Sequence, residues 1–376
     1  DQDIFVSTYG VSQNGAQKML WINDGQGSFT NEAVARGVAS QPGGNTWRAD
    51  MDKGRIPEPN KQPGEYIGAN GFGVDCPDID NDGHLDILMA DIAHSTELPP
   101  GYRGWPQEEI DAANYTRRWA DPSQLLLNLG PDEGWAFANE WLDRGLPYNE
   151  GDIDSAAADF DNDGRLDIVV SRDKKYEASY STYDQLGWLG LYHQQADGTF
   201  AAVAQESGIN HEEDPSGTQR MRGSGVVNWS DIDHDGDLDL LVGGGPGSTS
   251  GHLFRNDIGQ ANDWLAVRVL GGDGVNPDGI GTRVTLRREG MVLTREVKAS
   301  RGTYNSTDTR VLHFGLGDMP CDYRLAVRWP DGREYAYDAA TVGRNQWLTV
   351  WPDGRLEVEG RSPVTPQPTE LPTVIL

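Results

Sequence analysis

Asp78, Asp80, Asp82 and Asp86 fall within nine residues, spaced Asp-x-Asp-x-Asp-Gly-x-x-Asp around Gly83. The spacing returns at Asp159, Asp161, Asp163 and Asp167 around Gly164, and again at Asp231, Asp233, Asp235 and Asp239 around Gly236. Carboxylates crowded this closely repel one another unless a cation sits among them. Ca2+ suits the pattern, because it takes roughly six to eight hard oxygen ligands at flexible angles. Glycine at the sixth position permits the sharp turn that points those oxygens inward. Each copy runs straight into an apolar segment: Ile87-Leu88-Met89, Ile168-Val169-Val170 and Leu240-Leu241-Val242. The expectation is three calcium-loaded turns, about one ion each, with the ion stapling each turn to its strand. Occupied carboxylates leave little room for a substrate, so a structural role is expected; an open site completed by a partner's carboxylate is the alternative.

A second pattern accompanies the loops: an apolar strand, a polar turn, an aromatic residue, and a segment closing in glycine. It occurs at Met19–Phe29 with Gly37, at Leu125–Phe137 with Gly145, and at Leu189–Phe200 with Gly208, and His252–Asn256 starts it again. Such fixed-order self-similarity marks a solenoid or propeller. Short strands with Gly/Asp turns select the propeller, whose units are small antiparallel sheets. Asp3, followed by Ile4-Phe5-Val6, matches the last Asp of each loop, so the first repeat is truncated and lacks its loop. Blade number stays open. Each spacing could hold two blades, the chain could be cut from a longer one, or another chain could complete the ring. Insertions at 41–70, 95–123 and 172–186 are expected to project as loops, with a short helix over Pro106–Trp119.

The chain holds 376 residues, enough for two domains, with 59 Asp+Glu against 31 Lys+Arg and a net charge of −28. That balance argues against nucleic acid and anionic membrane surfaces as partners. Three Ca2+ ions would offset about six charges, and a calcium-rich extracellular space needs only modest affinity. No apolar run reaches the ~18 residues of a membrane span. The chain opens on Asp1-Gln2-Asp3 without a leader, which a secreted precursor would have lost. Cys76 and Cys321 permit one bridge or two free thiols.

From about Asn262 the loops give way to alternating segments, such as Trp264–Leu270, Thr282–Leu286, Arg324–Trp329 and Gln346–Val350. Period-two alternation predicts a β-sandwich. Residues 361–376 form a proline-rich extended tail ending in Thr373-Val-Ile-Leu376. An apolar strand-former at the end of a linker suggests addition to another sheet edge.

These residues resemble a known arrangement. Residues 1–260 resemble the FG-GAP/VCBS repeats of bacterial surface proteins, related to the integrin α-subunit propeller. Residues 261–360 are similar to the ASPIC/UnbV domain through Asn262-Asp-Trp264, Gly279-Ile-Gly281, Leu312–Gly317, Trp329-Pro-Asp-Gly332 and Asn345-Gln346. The pairing is that of the cartilage-acidic-protein-like family. The resemblance implies an all-β, extracellular, calcium-binding propeller followed by a sandwich-like domain, without established catalysis. It also implies that the loop carboxylates are metal ligands, completed by the backbone carbonyls of His84, Arg165 and Asp237.

Other candidates carry less. His84 and His234 fall at loop positions whose side chains are expected to face away, and the remaining histidines are scattered. No HExxH, GxSxG or GxGxxG occurs. Asp50–Gly54 resembles a shortened loop, and Asn276 with Asp278 and Gly279 could hold a further ion. Asn228 begins a glycosylation sequon but precedes a buried strand, which makes it a poor acceptor. The leading expectation is therefore a non-enzymatic, calcium-stabilised extracellular protein working by protein–protein contact. In that reading the tail of one copy adds to a neighbour and builds a head-to-tail filament. A monomeric cell-surface adhesin whose propeller loops bind carbohydrate, through Trp105 or Trp119, or a protein is the alternative, and a polysaccharide-active enzyme is the third reading.

Overall fold

The computed structural model describes residues 2–8, 18–39, 71–91, 123–147, 151–172, 189–209, 225–243, 251–302, 307 and 309–361. Its regular structure is almost entirely β. Pro106–Trp119, Asp50–Gly54, Trp105 and the tail beyond residue 361 lie outside the described residues.

Four consecutive antiparallel meanders come first. Sheet 1 holds β1 (Ile4–Val6), β2 (Met19–Asn23) and β3 (Phe29–Asn31). Sheet 2 runs β4 (Gly71–Asp75), β5 (Ile87–Asp91), β6 (Gln124–Asn128) and β7 (Phe137–Asn139). Sheet 3 runs β8 (Asp152–Ala158), β9 (Asp167–Arg172), β10 (Leu189–Gln194) and β11 (Phe200–Ala202). Sheet 4 holds β12 (Val227–Ser230), β13 (Asp239–Val242) and β14 (His252–Phe254). Each acidic loop therefore joins the first two strands of one sheet, and among the described residues each repeat spacing carries one sheet rather than two. Among the described residues sheet 1 has three strands, and β1 takes the place that β5 and β9 hold in sheets 2 and 3. Arg172, expected in an insertion, is the last residue of β9.

Apolar alternation explains how these sheets stack. Strand residues on one face of a sheet pack forward onto the next sheet, and those on the other face pack backward. Phe5, Leu20 and Ile22 of sheet 1 meet Ile87, Met89 and Leu126 of sheet 2. Leu88 and Leu125 of sheet 2 meet Ile168, Val170 and Tyr192 of sheet 3. Val169 and Leu191 of sheet 3 meet Leu240 and Val242 of sheet 4.

The remaining strands form two four-stranded sheets over one shared core, a two-layer unit called the sandwich below. One sheet is ordered β18-β15-β21-β22 and the other β17-β16-β19-β20, where β15 is Asp263–Val269, β16 Arg283–Arg288, β17 Met291–Glu296, β18 Val311–Gly317, β19 Arg324–Arg328, β20 Glu334–Asp338, β21 Gln346–Val350 and β22 Leu356–Val358. Both sheets contribute to one apolar core that includes Val267, Leu286, Phe314, Val327 and Leu348. β15 and β21 pair in parallel, a connection that sequence alternation does not reveal.

Candidate metal centres

The three acidic loops share one backbone geometry. Asn81, Asn162 and His234 at the fourth position are left-handed, with φ of 59°, 60° and 63°. Asn and His tolerate that region better than β-branched residues do. Gly83, Gly164 and Gly236 follow at φ of 94°, 92° and 97°. The first Asp of each loop accepts the glycine N–H: Gly83 N donates to Asp78 Oδ1 at 3.2 Å, Gly164 N to Asp159 Oδ2 at 2.8 Å, and Gly236 N to Asp231 Oδ2 at 3.1 Å.

The ninth Asp ties the loop to two strands. Asp86 accepts Ile79 N and Asn128 N, both at 2.8 Å. Asp167 accepts Phe160 N at 3.2 Å and Gln194 N at 2.8 Å, and Asp239 accepts Ile232 N at 3.0 Å and Asn256 N at 2.9 Å. Asp3 keeps the second half of this device, accepting Asn23 N at 2.8 Å. The sequence match of Asp3 to the loop termini thus has a structural counterpart.

Ligand-capable oxygens converge within 4.8 Å of one another in Asp78/Asp80/Asp82, Asp159/Asp161/Asp167 and Asp231/Asp233/Asp239. These clusters could hold a metal ion. Burial pushes the Asp86 and Asp159 carboxyls up to about 8, with Asp163 and Asp161 adding to the shift at Asp159. Burial also raises Asp78 to about 6 and drives Asp167 well above the usual carboxylate range. A carboxylate this desolvated needs a proton or a cation beside it. Both oxygens of buried Asp237 and one of Asp231 have no hydrogen-bond partner. The donor set therefore fits a hard divalent cation. Arg165 and His84 turn their side chains toward the fifth-position Asp: Arg165 Nη2 pairs with Asp163 Oδ2, and His84 Nδ1 lies 2.9 Å from Asp82 Oδ2. His84 thus does not face away from its loop. His234 does, tilting against Trp347 with ring centroids 4.7 Å apart.

Sequence reading missed two features here. His193 Nε2 lies 3.1 Å from Asp161 Oδ2 and 3.3 Å from Asp163 Oδ2, making a carboxylate–histidine corner on the second loop. The available signal was its position one residue before Gln194, the equivalent of Asn128 and Asn256. The Asp237 carboxylate is also buried, where only its carbonyl was expected to matter.

The loops are chained together and roofed over. Asn81 Nδ2 donates to Gly164 O at 3.0 Å, and Asn162 Nδ2 donates to Gly236 O at 2.9 Å, so each loop bonds the next. The sandwich sits on this row. Thr294 N donates to Asp78 Oδ2 at 3.1 Å, Gly317 N to Asn162 O at 2.7 Å, and Asn262 Nδ2 to Asp161 O at 2.8 Å. Gly236 lies under the Trp264 indole, where any Cβ would overlap the ring. Beside the loops, Lys298 pairs with Asp75, while Arg301 donates to Ser155 O at 2.9 Å, to Val227 O and to Asn228 Oδ1 at 2.8 Å. Asn228 is thereby engaged by the sandwich, in keeping with its poor prospects as a glycan acceptor.

At the opposite strand ends a second buried polar group ties sheets 1 to 3. Lys18 pairs with Asp91 at 2.6 Å, Ser123 Oγ donates to Asp152 at 2.6 Å, and Arg172 pairs with Asp152 at 3.3 Å. Charged residues at strand ends look solvated in sequence, so nothing there marked them as buried. Both Cys76 and Cys321 are free thiols. Asn276 closes its own turn, accepting Ile280 N at 2.8 Å and donating to Ile280 O at 2.9 Å, while Asp278 pairs with Arg310. A cavity of about 100 Å3 lies between the inner strands and the sandwich, lined by Cys76, Trp229, Arg295 and His313 among others. It is small beside the ~300 Å3 of ordinary ligand pockets. No helix among the described residues is long and apolar enough to cross a membrane.

Comparison with known proteins agrees with the C-terminal architecture. The family described as ASPIC and UnbV matches residues 272–350. The chain is 27% identical over 363 residues to cartilage acidic protein 1 of Mus musculus, covering 94% of this chain and 44% of that protein. It is 28% identical over 346 residues to the Homo sapiens protein, covering 90% and 41% respectively. The chain thus spans less than half the length of the curated relatives it matches, and the similarity runs through nearly all of its own residues at low identity.

Proposed function

We infer that this chain is a non-enzymatic, calcium-stapled extracellular interaction protein, whose four meanders are blades of a propeller-type array locked to a sandwich through their metal loops. The observation that carries this reading is the row of three equivalent loops, hydrogen-bonded to one another and to the sandwich, whose carboxylates converge and whose ninth Asp is buried in each. The Asp residues at the first, third, fifth and ninth loop positions would hold Ca2+. The seventh-position carbonyls of His84, Arg165 and Asp237 would complete each set. A bound Ca2+ supplies charge neutralisation and cross-linking of the turn. The chain's own residues fix the turn, orient the carboxylates and exclude water.

A non-catalytic role is favoured because the buried carboxylates already accept backbone N–H groups from strands and sandwich, and the cavity between the inner strands and the sandwich is small. An extracellular setting suits loops of modest affinity, and the similarity to cartilage acidic protein 1 supports it. The partner on this reading is another protein, copies of this chain foremost, with residues 371–376 as a candidate strand donor. Calorimetric titration of chelator-stripped protein with CaCl2 tests the core of the proposal. About three ions bound, with a rise in thermal midpoint, is the expected result. Absence of any calcium heat or thermal shift would overturn it.

A further inference from the structure

The seventh residue of each acidic loop lies against the fifth, because its N–H donates back to the fifth Asp. His84 N reaches Asp82 Oδ1 at 2.7 Å, Arg165 N reaches Asp163 Oδ1 at 2.9 Å, and Asp237 N reaches Asp235 Oδ1 at 3.2 Å. In the first two loops the side chain at the seventh position is basic and closes on the same carboxylate. His84 Nδ1 lies 2.9 Å from Asp82 Oδ2, and Arg165 Nη2 pairs with Asp163 Oδ2. The third loop keeps this backbone and reverses the charge. A carboxylate, Asp237, stands where the other loops carry an imidazole or a guanidinium.

Water does not solvate that carboxylate. His84 and Arg165 are partly exposed, whereas Asp237 is 0% exposed and neither of its oxygens has a hydrogen-bond partner. Its Cβ packs on the turn Gly259–Ala261, between β14 and β15, so closely that a Cβ on Gly259 would come within 2.4 Å of it. Asn162 Nδ2, the polar group beside that glycine, is committed to Gly236 O at 2.9 Å and Gly259 O at 3.0 Å. Burial first, and the Asp235 carboxylate second, raise the Asp237 carboxyl above its ordinary range. Asp235 is itself turned toward this side. The converging oxygens of the third loop come from Asp231, Asp233 and Asp239, while Asp235 Oδ2 accepts Gln260 Nε2 at 2.5 Å. The exposed Arg255 nearby is paired with Asp257 at 2.9 Å. Two neighbouring carboxylates, one of them buried without a donor, require either a shared proton or a cation between them.

We propose that the Asp235 and Asp237 carboxylates hold an additional hard divalent cation, Ca2+, in the place that the His84 and Arg165 side chains fill in the first two loops. The inference rests on the calcium-loop reading above and adds one site to it. The donors are oxygens, and the Gln260 amide can add another by turning its Oε1 inward, a set that suits Ca2+ over softer metals. The third loop then becomes a two-cation centre with Asp235 at its middle. Because Asp237 faces the Gly259–Ala261 turn, the added ion would fasten this loop to the connection that enters the sandwich.

The test counts calcium by isothermal titration calorimetry on the full chain, stripped with chelator, and on two variants. Asp237→Asn removes the charge while keeping the shape and the backbone carbonyl, and Asp237→Arg installs the side chain of the second loop. Wild type is expected to bind about four ions and each variant about three. Circular dichroism melts supply an independent readout. In excess chelator both variants should melt several degrees above wild type, because the uncompensated carboxylate pair is gone, and both should gain less from added CaCl2. About three ions in wild type and in both variants would overturn the added site, assign the pair a shared proton and leave the loop ions standing. About three in wild type against about two in the variants would overturn it by making Asp237 a ligand of the loop's own ion. Variants that melt below wild type in chelator would overturn it by giving Asp237 a packing role alone. Absence of calcium binding in all three proteins would overturn the loop reading and this site together.

Discussion

Asp86 and Asp3 occupy the same place in the repeat but differ in everything that should set their energetic weight. Asp86 is buried, accepts two backbone N–H groups at 2.8 Å and closes an acidic loop. Asp3 is exposed and accepts one at 2.8 Å. Replacing Asp86 with Ala strands two buried donors, each costing about 1–3 kcal/mol, partly offset by losing a desolvated carboxylate. We expect Asp86→Ala to lower stability by about 3 kcal/mol in Ca2+. Asp3→Ala should cost under about 1 kcal/mol, since its bond competes with water. The two should also respond differently to chelator. Without metal, Asp86 near neutral pH is mostly protonated, because burial places it at about 8, and a protonated carboxyl is the weaker acceptor pair. The Asp86→Ala penalty should then shrink to about 1 kcal/mol, whereas the Asp3→Ala penalty stays unchanged. Urea unfolding followed by far-ultraviolet circular dichroism, with and without chelator, measures all four differences. Equal penalties for the two substitutions, or an Asp86→Ala penalty indifferent to chelator, would refute the view that the ninth Asp works through a metal-loaded loop.

The metal-free protein should lose stability as pH rises. Asp86 and Asp159 have folded-state values near 8, above the ordinary 3.8, so their contribution is complete in acid and is lost as pH climbs through 8. Between pH 5 and 8 the loss reaches about 1.4 kcal/mol per pH unit for each such carboxylate, and excess Ca2+, which keeps both ionised in the folded state, should flatten it, as thermal melts would show. Arg301→Met removes the donors to Ser155 O, Val227 O and Asn228. It should cost about 2–4 kcal/mol and speed limited proteolysis between the meanders and the sandwich, and unchanged cleavage would count against Arg301 as their lock. Gly236→Ala forces a Cβ into Trp264 at a φ of 97°. A melting point several degrees lower with altered tryptophan emission is expected, and unperturbed emission would contradict the close packing of this loop under the sandwich.

Much of this was legible in the residues because local chemistry specifies it. Nine-residue acidic turns, Asn or His at left-handed positions, and glycine at positive φ are decisions made within one turn of chain. The strand following each loop is equally local, as is the change from loop repeats to alternating strands near Asn262. The equivalence of Asp3 to the loop termini could be seen without coordinates because it rests on a repeat spacing.

What tertiary structure alone decided are relations between distant segments. His193 reaches Asp161 only because β10 pairs beside β9, and Thr294, Gly317 and Asn262 reach the first two loops from a segment distant in sequence. His84 faces Asp82 because a left-handed turn swings it there, which a list of loop positions does not reveal. Leu241 and Leu253 carry the same apolar letters as their buried equivalents Val169 and Leu191. Sequence records that a face is apolar, whereas its exposure depends on what packs against it, and only the packed array shows Leu241 and Leu253 exposed where Val169 and Leu191 are buried.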